Sequence, residues 1–95
     1  GGLGLTPSAN VGSENAIFEP VHGTAPDIAG QGIANPTGAI LSAAMMLEHL
    51  GESKYAKLIE QSIDHVLEAG PVTSDLGGTA TTSEFTDAVI SAMRL

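Results

Sequence analysis

A glycine- and proline-rich segment precedes the most apolar run of this chain: residues 19–36 read EPVHGTAPDIAGQGIANP, and residues 37–50 read TGAILSAAMMLEHL. The second stretch is apolar nearly all round until Glu48, which predicts a helix that is buried on most of its faces. Asn35 can cap the start of this helix, and Pro36 suits the first helical position because no N–H is needed there. The first stretch is therefore an irregular loop that leads into a buried helix.

The composition indicates a globular chain with few basic residues. Its 95 residues are 42% hydrophobic, which is enough for a packed core in one small domain or in a piece of a larger protein. Eleven acidic residues against three basic ones give a formal net charge of −8, so nucleic acid and anionic membrane surfaces are poor partners. No apolar run is long enough for a membrane span, and no basic leader is present. We expect residues 1–95 to have no internal boundary and no nucleic-acid or membrane partners, whether they are one small domain or a segment of a longer chain.

Two further helices are predicted after the apolar one. Residues 54–69 place apolar and small side chains at i, i+3, i+4 and i+7, with acids on the opposite face, before Gly70-Pro71 ends the helix. The inward stripe consists of Tyr55, Leu58, Ile59, Ser62, Ile63, Val66 and Leu67. Thr81 and Glu84 form a T-x-x-E capping box that opens a third helix. Its stripe consists of Phe85, Ala88, Val89, Ala92 and Met93.

Short strands are predicted in the first quarter of the chain. Residues 16–21, AIFEPV, have the aromatic and branched content of a strand, which Pro20 confines to a sheet edge or to the end of the strand. Residues 1–12 indicate a strand edge that runs into a loop. The fold class is therefore α/β, with three helices and short strands.

A near match to the dinucleotide-binding fingerprint lies in the loop. Residues 30–35 read GQGIAN and precede a helix, as G-x-G-x-x-G does. However, Asn35 stands where the fingerprint requires a small residue, and no strand enters directly before Gly30. This pattern favours an ordinary glycine-rich turn over a Rossmann fold.

The loop nevertheless carries groups that suit a nucleoside. His22, Asp27 and Asn35 can hydrogen-bond an adenine edge or a ribose diol, and the glycines permit close backbone approach. A carboxylate such as Asp27 accepts hydrogen bonds from two hydroxyls but repels a phosphate. On the residues alone, Glu19 and Asp75 are cap or turn residues. Elsewhere no spacing predicts a metal site or a nucleophilic serine.

Three stretches resemble one family over nearly the whole chain. They read GGLGLTPSANVG at the start, FEPVHGTAPDIAGQGIANPTGAILSAAMML in the middle and DLGGTATTSEFTDAVISAM near the end. They are similar to the C-terminal part of the isocitrate/isopropylmalate dehydrogenase family of β-decarboxylating dehydrogenases. The resemblance implies the large, cofactor-binding domain of that fold, with a sheet that upstream strands complete. It also implies that the loop wraps the adenosine half of a nicotinamide cofactor.

The resemblance assigns binding roles to matching positions. It places His22, Gly23, Thr24, Ala25 and Pro26 along the adenosine and phosphates, Asp27 and Ile28 at the ribose hydroxyls, Asn35 and Asp75 at the adenine, and Glu19 near the nicotinamide ribose. NADP-using bacterial members have Lys-Tyr in place of Asp27-Ile28, and Tyr and Arg in place of Ser74 and Gly78. The resemblance therefore implies NAD as the cofactor.

The reaction that the family implies needs groups outside this chain. It is oxidation of a 2-hydroxy acid by NAD, followed by decarboxylation with Mg²⁺ or Mn²⁺ as a Lewis acid. The arginines, the Tyr and Lys acid/base groups and the metal-binding aspartates belong upstream of Gly1, so residues 1–95 contain no catalytic and no metal-binding residue.

The resemblance also bears on the substrate: Thr at position 24 is more usual in the isocitrate members of the family, which favours isocitrate, and homoisocitrate and 3-isopropylmalate remain alternatives. For the full-length protein the resemblance implies a homo-oligomeric, such as dimeric, enzyme of the tricarboxylic acid cycle, cytoplasmic or, in a eukaryote, in the mitochondrial matrix.

Two other classes of function stay open on the sequence. The same loop could serve a non-catalytic regulatory subunit or an adenine-nucleotide-binding module. A structural or dimerisation fragment without a ligand is the third possibility. Of these three classes, only the dehydrogenase would turn over a hydroxy acid.

Overall fold

The computed structural model describes residues 5–21 and 25–94. Their elements are strands β1 (Pro7–Val11) and β2 (Ala16–Pro20), then helices α1 (Thr37–His49), α2 (Ser53–Ala69) and α3 (Thr82–Met93). Single-turn 3-10 helices cover Pro26–Ile28 and Ser74–Leu76 within two loops. The fold is α/β with three helices and two short strands, as predicted, and the predicted bounds of β2, α1 and α2 agree to within one residue. No helix in these two ranges is long and apolar enough to cross a membrane.

The two strands form an antiparallel hairpin. Pro7 lies opposite Pro20 at its open end, and the Gly12 N–H donates to the Asn15 carbonyl over 2.7 Å at its turn. Beyond this pair the Val21 N–H donates to the Thr6 carbonyl over 2.9 Å, so Pro7 and Pro20 form a pair that is not hydrogen-bonded and needs no N–H. β2 ends at Pro20, one of the two placements predicted for this proline. No strand runs directly into Gly30, which agrees with the prediction that this is not a Rossmann fold.

The hairpin packs on α1 with one of its faces. Side chains alternate along β2, so that Phe18 is half-buried while 58% of Ile17 is exposed. The Phe18 ring lies 5.6 Å from the His49 ring, between centroids, with the planes tilted by 51°. This contact joins the middle of β2 to the last turn of α1.

The apolar core lies mainly between α2 and α3. Its buried residues are Ile63, Val66, Phe85 and Val89, with half-buried side chains of α1 packed against them. These residues belong to the two predicted stripes. One member of the α2 stripe was predicted wrongly: Tyr55 is 43% exposed, because the buried position in this turn is the small Ala56.

The prediction that α1 is buried on most faces is wrong for the described residues. α2 and the hairpin cover one side of α1 and bury Thr37, Gly38, Ser42 and Ala44. The opposite side carries an exposed apolar stripe of Ala39, Ala43, Met46 and Leu50. No element within 5–21 and 25–94 covers that stripe.

Candidate functional site

The loop between β2 and α1 begins with a locally folded turn. Ala25 adopts a left-handed conformation with φ of 46° and leads into the 3-10 helix of Pro26–Ile28. The Ile28 N–H donates to the Ala25 carbonyl over 3.1 Å, and the Gln31 side-chain amide donates to the Asp27 carbonyl over 3.0 Å. These bonds occupy the backbone of the turn, and Asp27 is exposed on it.

Asn35 lies at the end of the loop and bonds to the first residue of α1. Its side-chain oxygen accepts from the Thr37 N–H over 3.0 Å and from the Thr37 hydroxyl over 2.6 Å. The helix begins at Thr37 with Pro36 in the N-cap position, so the prediction of Asn35 as N-cap and Pro36 as first helical residue is wrong by one position. Asn35 lies just before the cap and satisfies the N–H of the first helical residue. The Asn35 amide nitrogen donates to Asp75 Oδ2 over 3.1 Å. Two residues that are 40 positions apart, both assigned to adenine by the resemblance, are thus in direct contact.

Asp75 belongs to a tight loop between α2 and α3. Its other carboxylate oxygen accepts a hydrogen bond from the hydroxyl of the buried Thr73. The Gly78 N–H donates to the Thr73 carbonyl over 3.0 Å, and the Ala80 N–H donates to the Val72 carbonyl over 2.9 Å. At Gly78 a Cβ atom would lie 2.0 Å from the Val72 carbonyl oxygen, so no side chain fits there without a shift of the backbone. This loop therefore holds Asp75 in one place.

The first turn of α3 is hydrogen-bonded to the loop that contains Asn35. The Thr82 N–H donates to the Gly32 carbonyl over 2.8 Å, and the Thr82 hydroxyl donates to the Ala34 carbonyl over 2.6 Å. We call the set Gly32, Ala34, Asn35, Asp75 and Thr82 the polar junction. It connects two loops and one helix start that are far apart in sequence.

The predicted capping box of α3 is present beside the polar junction. The Thr81 hydroxyl accepts from the Glu84 N–H over 3.0 Å, and the Glu84 carboxylate accepts from the Thr81 N–H over 2.9 Å. Thr81 and Glu84 therefore satisfy two free N–H groups at this end of α3.

The charged side chains of the two loops are acidic within the described residues. Asp27 and Asp75 are both exposed on the two loops. The basic residues of the chain lie elsewhere: Lys54 and Lys57 are on α2, and Arg94 follows α3. No three His, Cys, Asp or Glu residues of the described ranges are placed to hold a metal ion. The site offers hydrogen-bonding groups and negative charge, which suit hydroxyls and an aromatic edge.

The remaining predicted site residues are not joined to the polar junction by a hydrogen bond within the described ranges. Ala25, Pro26 and Ile28 lie in the same loop as Asn35, and Glu19 is exposed on β2 opposite Ser8. His22, Gly23 and Thr24 lie outside the described residues. The residues that sequence reasoning missed are Thr82, Thr73 and Thr37. Only Thr37 carried a signal, since it follows Asn-Pro at a helix start.

Comparison with known proteins places the chain in a family. Residues 1–89 match the model of the isocitrate/isopropylmalate dehydrogenase family. A curated "Isocitrate/homoisocitrate dehydrogenase" of Thermus thermophilus is 66% identical over 94 residues, which are 99% of this chain and 28% of the relative. "Isocitrate dehydrogenase [NAD] subunit 2, mitochondrial" of Schizosaccharomyces pombe is 54% identical over 96 residues, covering 99% of this chain and 25% of that protein.

A solved structure supports the same assignment. The crystal structure of isocitrate dehydrogenase from Methylococcus capsulatus superposes with a TM-score of 0.97 at 49% identity, over 100% of this chain and 29% of the other. The chain belongs to the isocitrate/isopropylmalate dehydrogenase family. It spans about 28% of the length of the curated Thermus relative.

Proposed function

We propose that this chain is the cofactor-binding segment of an NAD-dependent oxidoreductase that oxidatively decarboxylates isocitrate to 2-oxoglutarate. In this proposal residues 1–95 form part of one large domain, without an internal boundary. Family membership supports the reaction class. The observation that carries the cofactor role is the 3.1 Å hydrogen bond between Asn35 and Asp75, because it joins the two loops on which the ligand groups lie.

The hydrogen-bonding capacity of the polar junction fits an adenine. The Asn35 oxygen already accepts two bonds from Thr37, and its nitrogen donates one to Asp75. An amide nitrogen has two N–H groups, so one donor of Asn35 is left for a ligand. Each Asp75 oxygen accepts one bond and has capacity for another.

The ribose would be held by the exposed carboxylate of Asp27. A carboxylate accepts from two adjacent hydroxyls and disfavours a phosphate at the same place, which is the difference between NAD and NADP. Ile28 beside it adds no cation. The other proposed contacts are His22, Gly23, Thr24, Ala25 and Pro26 along the adenosine and phosphates and Glu19 near the nicotinamide ribose.

Bound NAD would supply the acceptor for the hydride that leaves C2 of the hydroxy acid. The residues of this chain bind and orient the adenosine half. The acid/base groups, the substrate-binding arginines and the Mg²⁺ or Mn²⁺ ligands are proposed to lie in the rest of a homo-oligomeric protein.

Isocitrate is the first substrate choice because of Thr24, ahead of homoisocitrate and 3-isopropylmalate. Steady-state kinetics of the full-length protein with each of the three acids, and with NAD and NADP, decide the choice. The proposal requires the highest kcat/KM with isocitrate and NAD. A higher value with another acid overturns the substrate choice. NAD binding without turnover of any of them favours a regulatory subunit, and no binding of NAD or NADH to folded protein favours a structural fragment.

The double substitution Asp27→Lys with Ile28→Tyr tests the cofactor assignment in the full-length protein. We expect the ratio of kcat/KM for NAD to that for NADP to fall by at least about tenfold, because a carboxylate is replaced by a cation and a phenol that can bind a 2′-phosphate. Glu14→Lys in the exposed turn of the hairpin is the matched control, since it changes the net charge equally. An unchanged ratio in the double variant would contradict the placement of Asp27 at the ribose.

A further inference from the structure

Thr82 uses both of its hydrogen-bond donors on the loop before α1. Its N–H lies at the first residue of α3, where no partner exists within the helix, and it donates to the Gly32 carbonyl over 2.8 Å. Its hydroxyl donates to the Ala34 carbonyl over 2.6 Å, across 48 positions of sequence. One half-buried residue thus holds two alternate carbonyls of the segment 32–35.

The hydroxyl bond is not part of the cap of α3, whereas the N–H bond satisfies a donor that the capping box leaves free. Thr81 and Glu84 already complete the capping box, with bonds of 3.0 and 2.9 Å. Thr86, the next threonine of α3, makes the bond that a threonine hydroxyl commonly makes within a helix. It donates to the Thr82 carbonyl four residues back, over 2.9 Å. The hydroxyl of Thr82 is instead directed to a loop of another part of the chain.

The segment that Thr82 holds has free donors beside the fixed carbonyls. The backbone N–H groups of Ile33 and Asn35 have no hydrogen-bond partner within residues 5–21 and 25–94, and both residues are half-buried. A backbone N–H that has no partner in the protein is available as a donor to a ligand. Their direction depends on the two carbonyls that Thr82 fixes, because N–H and C=O groups share rigid peptide planes.

We propose that Thr82 is a positioning residue for the nicotinamide cofactor, which acts by fixing the backbone of residues 32–35 through Gly32 and Ala34. This inference rests on the proposed function. Thr82 itself touches neither the reacting atoms nor the substrate. Its loss should weaken cofactor binding and leave the chemical step intact, which raises KM for NAD without lowering kcat.

The test compares Thr82→Val with wild type in the full-length protein. Valine keeps the shape and the backbone N–H but leaves the Ala34 carbonyl without its donor. We expect the Kd for NAD from calorimetry to rise roughly 5- to 50-fold, kcat to stay within about twofold, and amide exchange over residues 30–36 to accelerate. Thr82→Ser, which restores the hydroxyl, should return the Kd to within about threefold of wild type.

Thr86→Val is the matched control, because it removes the same group from another half-buried threonine of α3. Wild-type affinity in T82V, or an equal loss in T86V, overturns the inference. If T82V does not fold, Thr82→Ala is the second variant, with the same expected rise in Kd. Wild-type protein that binds no NAD would overturn the proposed function instead, and the exchange rates of T82V and T86V then still decide whether Thr82 fixes the segment.

Discussion

The α2–α3 core and the polar junction are held together by different forces. In the core, Phe85 and Val89 are 0% and 3% exposed and pack on α2 through apolar contacts that have no direction. In the polar junction, every contact is a directed hydrogen bond between residues that are 40 to 50 positions apart, at or near the surface. The core therefore supplies free energy of folding, while the junction supplies the geometry of the site.

The two regions meet in α3. Phe85 lies in the core three residues after Thr82, which belongs to the junction. Burial of Phe85 fixes the position of α3. Thr82, at the start of that helix, therefore has a fixed position from which it bonds to the loop. This division predicts that core variants lower stability and that junction variants lower the affinity for NAD.

The largest expected effect is that of Phe85→Ala. Removal of a fully buried aromatic ring should lower the free energy of unfolding by about 3–5 kcal/mol. Urea denaturation of the full-length protein measures it, and Ile90→Ala, at a position on α3 that is 61% exposed, should change it by less than about 1 kcal/mol. Equal losses of unfolding free energy in the two variants would contradict the conclusion that the α2–α3 core supplies the stability.

Gly78→Ala should have the next largest effect, and it should act on both regions. The added Cβ would lie 2.0 Å from the Val72 carbonyl oxygen, so the loop must shift and carry Asp75 with it. We expect a loss of stability of about 2–3 kcal/mol, together with weaker NAD binding. Thr79→Ala, at the exposed neighbouring position, is the control. Wild-type stability and affinity in the Gly78 variant would show that the loop adapts freely.

Asn35→Ala tests the junction with the smallest expected effect. It removes one bond to Asp75 and two to Thr37, and cofactor binding should weaken by roughly 1–3 kcal/mol. Calorimetry with NAD measures this loss, and Asn10→Ala on the exposed face of β1 should leave the affinity unchanged. If Asn35→Ala lowers the melting temperature but not the affinity, Asn35 only stabilises the start of α1 through Thr37.

The sequence predicted the core more completely than the site. The spacing of Ile63, Val66, Phe85 and Val89 is a local property of each helix, and it survives in the fold because each stripe faces the other. The burial of α1 could not be predicted in this way. A helix that is apolar all round has no polar face, so its periodicity does not predict which side is buried. That side is determined by the elements that pack on α1, which are α2 and the hairpin.

The polar junction was harder to predict for a different reason. Asn35 was predicted as a cap because Asn-Pro precedes an apolar run, and the family resemblance assigned it and Asp75 to the adenine without predicting their hydrogen bond. The acceptors of Thr82 are backbone carbonyls of Gly32 and Ala34, and a carbonyl is the same in every residue type. No residue pattern could therefore predict that bond. The T-x-x-E box predicted a hydrogen-bonding role at the start of α3 for Thr81 and none for Thr82.

The long sequence separation within the polar junction has a consequence for synthesis on the ribosome. Thr82 is made 48 residues after Ala34, and at about 5–20 residues per second this delay is roughly 2–10 s. Until then the loop exists without the residue that sets its backbone. A nascent chain therefore can form the hydrogen bonds that hold residues 32–34 only after the start of α3 has been translated, however early the loop itself emerges.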